Sequence, residues 1–137
     1  MNLKIKLLLL PFLFISISSF SQTYSFSKLV IRANVETSSG SEQRIIEKKQ
    51  GTFKFEFEKS NTDGKTLFTI LNPGMDYNPN YYALIEEKGY IENNNKIFER
   101  GFYYSTEHEK GVIVLVAKDK TTIVIFKPNN IVEEYLK

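Results

Sequence analysis

The chain has 137 residues, with 18 Lys and Arg against 16 Asp and Glu, a single His and no Cys. Lys4 and Lys6 lie in a segment that we expect to be removed, which leaves a mature chain with equal numbers of basic and acidic residues. A neutral chain gives no electrostatic reason to bind nucleic acid or an anionic membrane. Without Cys it can form no thiolate zinc site and no disulfide, and one His is too few for a His-rich metal site.

Residues 1–21 have the features of a cleaved signal peptide. A short basic region precedes an apolar run over residues 7–17, and Ser19 and Ser21 form the small-x-small pattern that signal peptidase recognises. The run is shorter than the roughly 20 residues that a membrane-spanning helix needs. No Cys is present to carry a lipoprotein anchor. We therefore expect cleavage before Gln22, export to the periplasm or the medium, and no stable membrane anchor after cleavage.

The mature chain, residues 22–137, has a length typical of one domain. Alternating or continuous apolar patterns predict strands over residues 24–36, 44–59, 66–71, 82–92, 97–105, 112–117 and 121–126. Residues 44–59 form either one long strand or two short ones hinged at Gly51, and Gly89 is a possible kink in the strand at 82–92, since a Gly within a strand often marks a bulge or bend. Pro128 ends the last strand because it cannot donate a backbone hydrogen bond.

The segments between the strands have turn-forming compositions. Residues 37–43 are predicted to be a loop, and Asp63-Gly64 is a hairpin signal within a turn at 60–65. Residues 72–82, with two prolines, predict an irregular loop.

The C-terminal segment changes period and predicts a short helix. Its apolar residues fall on one helical face, and an Asn before them is a suitable N-cap: Asn129, Asn130, Ile131, Val132, Tyr135 and Leu136. So short a helix must dock to be stable. The strands at 112–117 and 121–126 are apolar on both faces, so the helix is expected to cover their outer side, with a dimer partner as the alternative cover.

These elements predict an all-β, mainly antiparallel fold. The expected architecture is a small barrel or barrel-like sandwich of about seven or eight strands with a short C-terminal helix. In element order this arrangement is similar to the lipocalins. The lipocalin Gly-x-Trp motif is absent, since the chain has no Trp.

Phe53, Phe55 and Phe57 alternate with charged residues in "GTFKFEFEK" and are expected to point to one side of their strand. The interior of an eight-stranded barrel is either filled by side chains or holds one small ligand. The three rings are therefore predicted to form core, with the lining of a small apolar pocket as the alternative.

The loop "MDYNPNYY" is the candidate exposed binding site. Its residues combine flat rings with short hydrogen-bonding side chains, a mixture that suits sugar or peptide contact: Asp76, Tyr77, Asn78, Asn80, Tyr81 and Tyr82. The two prolines would stiffen the loop and lower the entropic cost of binding. The alternative is that these residues start the next strand and cap one end of the fold.

No catalytic arrangement emerges from the sequence. Glu56 and Glu58 could form a carboxylate pair, but alternation with lysines is typical of a solvated face. His108 lies between Glu107 and Glu109 in a polar turn, which favours a surface connection. The chain contains no nucleophile elbow, phosphate-binding glycine loop or HExxH motif. We expect no catalytic residues, no metal and no cofactor.

The resulting functional prediction is an exported, non-catalytic binding module. Its ligand would be a small apolar molecule inside the sheet or another envelope protein at the loop end. The main alternative is a periplasmic protein-interaction module of the inhibitor or immunity type, which uses the Tyr-rich loop or an outer sheet face. A carbohydrate-active enzyme using Glu56 and Glu58 is the third possibility.

Overall fold

A computed structural model describes residues 22–59, 64, 66–71 and 81–137. Within these ranges the protein is all-β, with eight antiparallel strands and one 3-10 turn. The elements are β1 (Gln22–Thr37), β2 (Gly40–Lys59), β3 (Thr66–Leu71), β4 (Tyr81–Asn93), β5 (Lys96–Ser105), β6 (Lys110–Ala117), β7 (Thr122–Lys127), the turn Pro128–Asn130 and β8 (Ile131–Leu136). The predicted all-β, antiparallel class is confirmed.

The strands follow chain order around one ring-like sheet. Each strand pairs with its neighbours in the sequence, and β1 also pairs with β8, where Leu29 lies opposite Tyr135. Arg32 Nη1 lies 3.2 Å from Glu134 Oε1 across the same seam, so an ion pair reinforces it. The shortest pairing joins β3 to β4, over residues 67–69 and 81–83.

An aromatic cluster fills the middle of the ring. All eight strands contribute to it, which only the inner side of a ring allows: Phe26, Leu29, Phe53, Phe55, Phe68, Tyr82, Tyr103, Val112, Val114, Ile123, Ile125 and Tyr135. The ring centroids of Phe55 and Tyr135 lie 4.7 Å apart, edge to face. Phe68 and Tyr82 stack at 4.5 Å. These contacts supply the packing that a chain without disulfides needs.

A second, smaller apolar cluster lies on the outer side of the sheet. Its buried members are Phe98, Leu115, Ala117, Val124 and Val132. Successive residues of a strand point to opposite faces, and Val114 belongs to the inner cluster whereas Leu115 belongs to this one. This arrangement explains why the sequences of β6 and β7 are apolar on both faces.

The predicted C-terminal helix is wrong, and so is its role as an outer cover. Residues 131–136 form β8, which pairs with β7 on one side and β1 on the other. Asn129 and Asn130, the predicted N-caps, have positive φ angles of 66° and 61° and turn the chain into a hairpin. The backbone N–H and C=O groups of β8 form hydrogen bonds with both flanking strands. A short helix on the surface would have to satisfy its backbone groups by its own hydrogen bonds.

In β1 and β2 the structure revises one further expectation and decides between two alternatives. Residues 37–43 are not a loop, because β1 runs to Thr37 and β2 starts at Gly40. Gly51 lies inside one continuous strand, where the register moves from Phe26–Phe53 to Lys28–Gln50 and leaves one extra residue in β2. The glycine therefore marks a bulge rather than a break between strands.

Strand β4 carries two register shifts against β5. The first lies between Leu84 and Glu86, and the second between Glu87 and Tyr90. Gly89, in the second, has a φ of 80°, a conformation that residues with a side chain rarely adopt. The bulges change which residues of β4 point inward, and this matters for the pocket described next.

Candidate functional site

A pocket of about 240 Å³ opens at one end of the ring. We call it the end pocket. It lies where β1 and β3 begin and where β2 and β6 end. Its lining comes from six strands: Gln22, Tyr24, Phe57, Glu58, Lys59, Thr66, Leu84, Glu87, Glu99, Arg100, Gly101, Tyr103 and Val116.

The inner wall of the end pocket is aromatic and continuous with the core. The rings of Tyr24 and Phe57 meet edge to face with centroids 5.2 Å apart. Phe68, which is fully buried, contacts Phe57 at 4.9 Å and Tyr103 at 5.0 Å. Leu84 and Val116 pack against the same cluster. The core thus forms the floor of the pocket, and a ligand there would rest on fixed rings.

Gly101 lets the Tyr103 ring lie close to the backbone of β5. A Cβ atom at position 101 would come within 2.7 Å of Tyr103 Cε2 and 3.1 Å of Leu84 Cδ1. Any larger residue would therefore push both side chains and change the shape of the pocket wall.

Three carboxylates, Glu58, Glu87 and Glu99, line this site, and two of them act on its tyrosines. Burial raises the pKa of the Tyr103 hydroxyl, and the nearby Glu99 and Glu87 raise it further. Burial and Glu99 likewise raise the pKa of Tyr24. Both phenols are therefore protonated at neutral pH, and both lie within the electrostatic reach of Glu99.

The polar groups around the pocket differ in whether they have partners. Tyr24 Oη donates a hydrogen bond of 3.1 Å to Gln22 Oε1. Arg100 Nη2 donates to the Lys88 carbonyl at 3.2 Å. In the described part of the chain, neither Glu87 nor Glu99 forms a hydrogen bond or an ion pair through its side chain. The carboxylates therefore remain available as acceptors.

The opposite end of the ring interior holds a buried ionic cluster. Lys127 Nζ lies 2.8 Å from Glu133 Oε1 and 3.6 Å from Glu107 Oε2. Burial alone would lower the pKa of Lys127, but Glu133 and its neighbours outweigh this and raise the pKa. Burial raises the pKa of Tyr82 to about 12. Lys127 and Glu133 form an ion pair with each other, so we assign this cluster to the structure rather than to binding.

The predicted aromatic residues of β2 separate into two roles. Phe53 and Phe55 are buried in the central cluster, at 3 % and 0 % exposure. Phe57 is half-buried and lines the end pocket. Strand β2 therefore contributes core residues in its middle and a residue of the pocket wall near its end.

The predicted loop site is only partly described. Asp76, Tyr77, Asn78 and Asn80 lie outside the described residues. Tyr81 is 47 % exposed, whereas Tyr82 is 1 % exposed and stacks on Phe68 inside the ring. These two tyrosines point to opposite faces and do not form one surface. They also lie at the end of the ring opposite the end pocket.

The other candidates considered from sequence are not brought together. Glu56 and Glu58 are exposed on β2, and of the two Glu58 lines the end pocket whereas Glu56 does not. His108 Nε2 lies 3.6 Å from Glu107 Oε2 in the turn after β5. Among the residues that the structure describes, no three His, Cys, Asp or Glu side chains converge to hold a metal ion.

Sequence reasoning missed most of the pocket residues. Tyr24, Glu87, Glu99 and Tyr103 were not singled out, because each sits in a strand pattern that also contains outward charges. The two bulges in β4 could have indicated that Glu87 lines the end pocket. In the sequence, Gly89 is the residue that marks one of these bulges. Bulges shift the alternation by one residue, and their number cannot be counted from local sequence.

Comparison with known proteins gives no further guide to the site. The chain matches no family model, no curated protein and no solved structure. In the described ranges, no helix has the length and hydropathy required to cross a membrane.

Proposed function

We propose that the chain is an exported, non-catalytic binding module whose ligand is a small, mainly apolar molecule. The observation that carries the proposal is the end pocket, an open cavity whose aromatic and aliphatic side chains lie beside several charged and polar groups. Small-molecule pockets combine apolar walls with polar groups that orient the ligand. In this proposal the ring is a small β-barrel, whose interior is wide enough for one small ligand where side chains do not fill it.

The size of the pocket limits the ligand. A cavity of about 240 Å³ has the volume of about eight water molecules in the liquid. A cavity of about 150 Å³ is enough for benzene. The ligand proposed is therefore a molecule with one ring or a short chain, and not a large lipid.

Export is proposed from the leader. The basic, apolar and small-residue regions of residues 1–21 support cleavage before Gln22. Gln22 is the first residue of β1 and lines the end pocket. Sequencing the N-terminus of the protein recovered from the periplasm or medium tests this step.

A pocket-filling variant tests ligand binding. Val116→Phe adds a ring to the lining of the end pocket and should abolish saturable binding of a hydrophobic dye. Ile113→Phe is the matched control, because Ile113 lies on the same strand but is exposed on the outer face at 41 %. Circular dichroism establishes that both variants keep the strand signal of the parent.

Mass spectrometry of the purified protein provides the second readout. A co-purified small molecule that is present in the parent and in Ile113→Phe but absent from Val116→Phe would support the proposal. Absence of any co-purified molecule, together with no saturable dye binding by the parent, would contradict it.

A protein-interaction module of the inhibitor or immunity type is the second candidate. The observation in its favour is an exposed apolar pair on the outer face, Ile113 and Phe126, which lie opposite each other in β6 and β7 at 41 % and 40 % exposure. Capture of an envelope protein by the parent, lost on Phe126→Ser but kept by Val116→Phe, would favour this candidate over ligand binding.

A further inference from the structure

We infer that the ligand of the end pocket carries a positively charged or strongly hydrogen-bond-donating group beside its apolar part, and that Glu87 and Glu99 receive this group. The inference rests on the proposed function, because it names the ligand class of the same pocket. It follows from the charges that line the pocket and from its aromatic walls.

Glu87 and Glu99 are exposed to solvent and, in the described part of the chain, have no side-chain hydrogen bond or ion pair. An ionised carboxylate only accepts hydrogen bonds and is costly to remove from water unless donors satisfy it. A purely apolar ligand in the pocket would remove water from Glu87 and Glu99 and provide nothing in return. A ligand with an ammonium or similar donor would replace the lost water with charge-assisted hydrogen bonds.

The lining has fewer cations than carboxylates. Lys59 and Arg100 are its cations, against the carboxylates of Glu58, Glu87 and Glu99. Arg100 Nη2 donates to the Lys88 carbonyl, while Arg100 Nε is buried without a hydrogen-bond partner among the described residues. The lining as a whole therefore carries a net negative charge, which disfavours an anionic ligand.

The aromatic walls reinforce the preference for a cation. The faces of Tyr and Phe rings attract ammonium groups within about 6 Å. The protein already shows this at the pocket, where Lys120 Nζ lies 5.8 Å from the centroid of the Tyr24 ring. Because Tyr24 has this internal partner, the rings of Phe57 and Tyr103 are the walls left for the ligand cation, and Glu99 and Glu87 act electrostatically at Tyr103.

Three matched probes test the charge preference. Benzylammonium, benzyl alcohol and benzoate share a ring of similar size and differ in the charge of the attached group. We expect benzylammonium to bind at least about tenfold more tightly than benzyl alcohol, as one charge-assisted hydrogen bond provides. Benzoate should bind most weakly. Titration followed by NMR chemical shifts measures all three affinities on the processed protein.

Charge-neutral variants locate the preference. Glu99→Gln and Glu87→Gln keep the shape of the side chain and remove its charge, so each should bring the affinity for benzylammonium toward that for benzyl alcohol. Glu92→Gln is the matched control, since Glu92 is an exposed residue of β4 that does not line the pocket. It should leave all three affinities unchanged.

The possible outcomes separate this inference from the proposal on which it rests. Saturable binding of benzyl alcohol with equal or higher affinity than benzylammonium would overturn the inference and leave the binding function standing. Unchanged preference in both Gln variants would also overturn it. No binding of any probe or of the hydrophobic dye would overturn both.

Discussion

Single residues in the ring interior have roles that depend on their distance from the pocket end. Phe53 and Phe55 are enclosed by other rings, whereas Phe57, two residues further along β2, forms a wall of the pocket. Tyr82 stacks inside the ring while its neighbour Tyr81 faces solvent. The same residue type therefore serves as core, wall or surface, and alternation along the strand decides which.

The central position of Phe55 yields a stability prediction. Phe55 contacts the rings of Phe26, Phe68 and Tyr135, and it has no exposed surface. Replacing it with Ala leaves a cavity and should lower the free energy of unfolding by about 3–5 kcal/mol. Urea unfolding measures the change.

Phe126→Ala is the control for the same chemical change. Phe126 is 40 % exposed on the outer face, so its replacement should cost about 1 kcal/mol or less. Equal losses for the two variants would show that the ring interior does not contain the main core.

At the scale of elements, β8 decides whether the sheet forms a ring. It lies between β7 and β1, and its register places Glu134 opposite Val124 on one side and Val30 on the other. A helix in this segment would leave two open edges in the sheet. The backbone hydrogen bonds that this segment forms with β7 and β1 therefore stabilise it as a strand, although the spacing of its apolar residues fits a helix.

A proline in β8 tests this interpretation. Glu134→Pro removes a backbone donor from a strand that is paired on both sides, and the unsatisfied acceptor and lost bond should cost at least about 1–3 kcal/mol. Glu134→Ala is the control, because it removes the ion pair with Arg32 but keeps the N–H. That ion pair is only partly buried, with both side chains 26 % exposed, so it should contribute about 1 kcal/mol or less.

Thermal unfolding followed by circular dichroism compares the two variants. We expect a markedly lower transition temperature for Glu134→Pro than for Glu134→Ala. A Pro variant as stable as the Ala variant would contradict the assignment of a strand paired on both sides.

At the scale of the whole molecule, the interior has an aromatic middle with a polar group at each end. The ionic cluster of Lys127 and Glu133 occupies one end, and the end pocket with its carboxylates occupies the other. Tyr82, Tyr103 and Tyr135 are buried along this interior. The ionisation of these groups therefore couples to the stability of the fold.

Stability should fall in alkaline solution. Burial raises the pKa of Tyr82 to about 12, and it raises the pKa values of Tyr103 and Tyr135 as well. The pKa of Lys127 is also raised, since Glu133 outweighs the effect of burial. In each case the folded state holds the proton more tightly than the unfolded state. Their contribution to the free energy of unfolding is therefore fully present below about pH 10. It is lost as the pH rises toward the pKa values of these groups in the folded state.

Urea unfolding from about pH 8 to about pH 12 measures this loss. Each group should lower the free energy of unfolding by up to about 1.4 kcal/mol per pH unit. Tyr82→Phe removes one of the groups and should reduce the slope. The ultraviolet absorbance of tyrosinate should rise together with unfolding. Stability that stays constant across this range would contradict the burial of these hydroxyls.

Local pattern alone determined the all-β, antiparallel class, most strand positions and the inward rings of Phe53 and Phe55, because alternation is a property of neighbouring residues. The tertiary structure decided the strand at 131–136, since its partners in β1 lie about a hundred residues away and their hydrogen bonds outweigh a helical spacing. It also decided the end pocket. Bulges in β4 set which side chains point inward, and six strands must meet before Glu87 and Glu99 share one cavity.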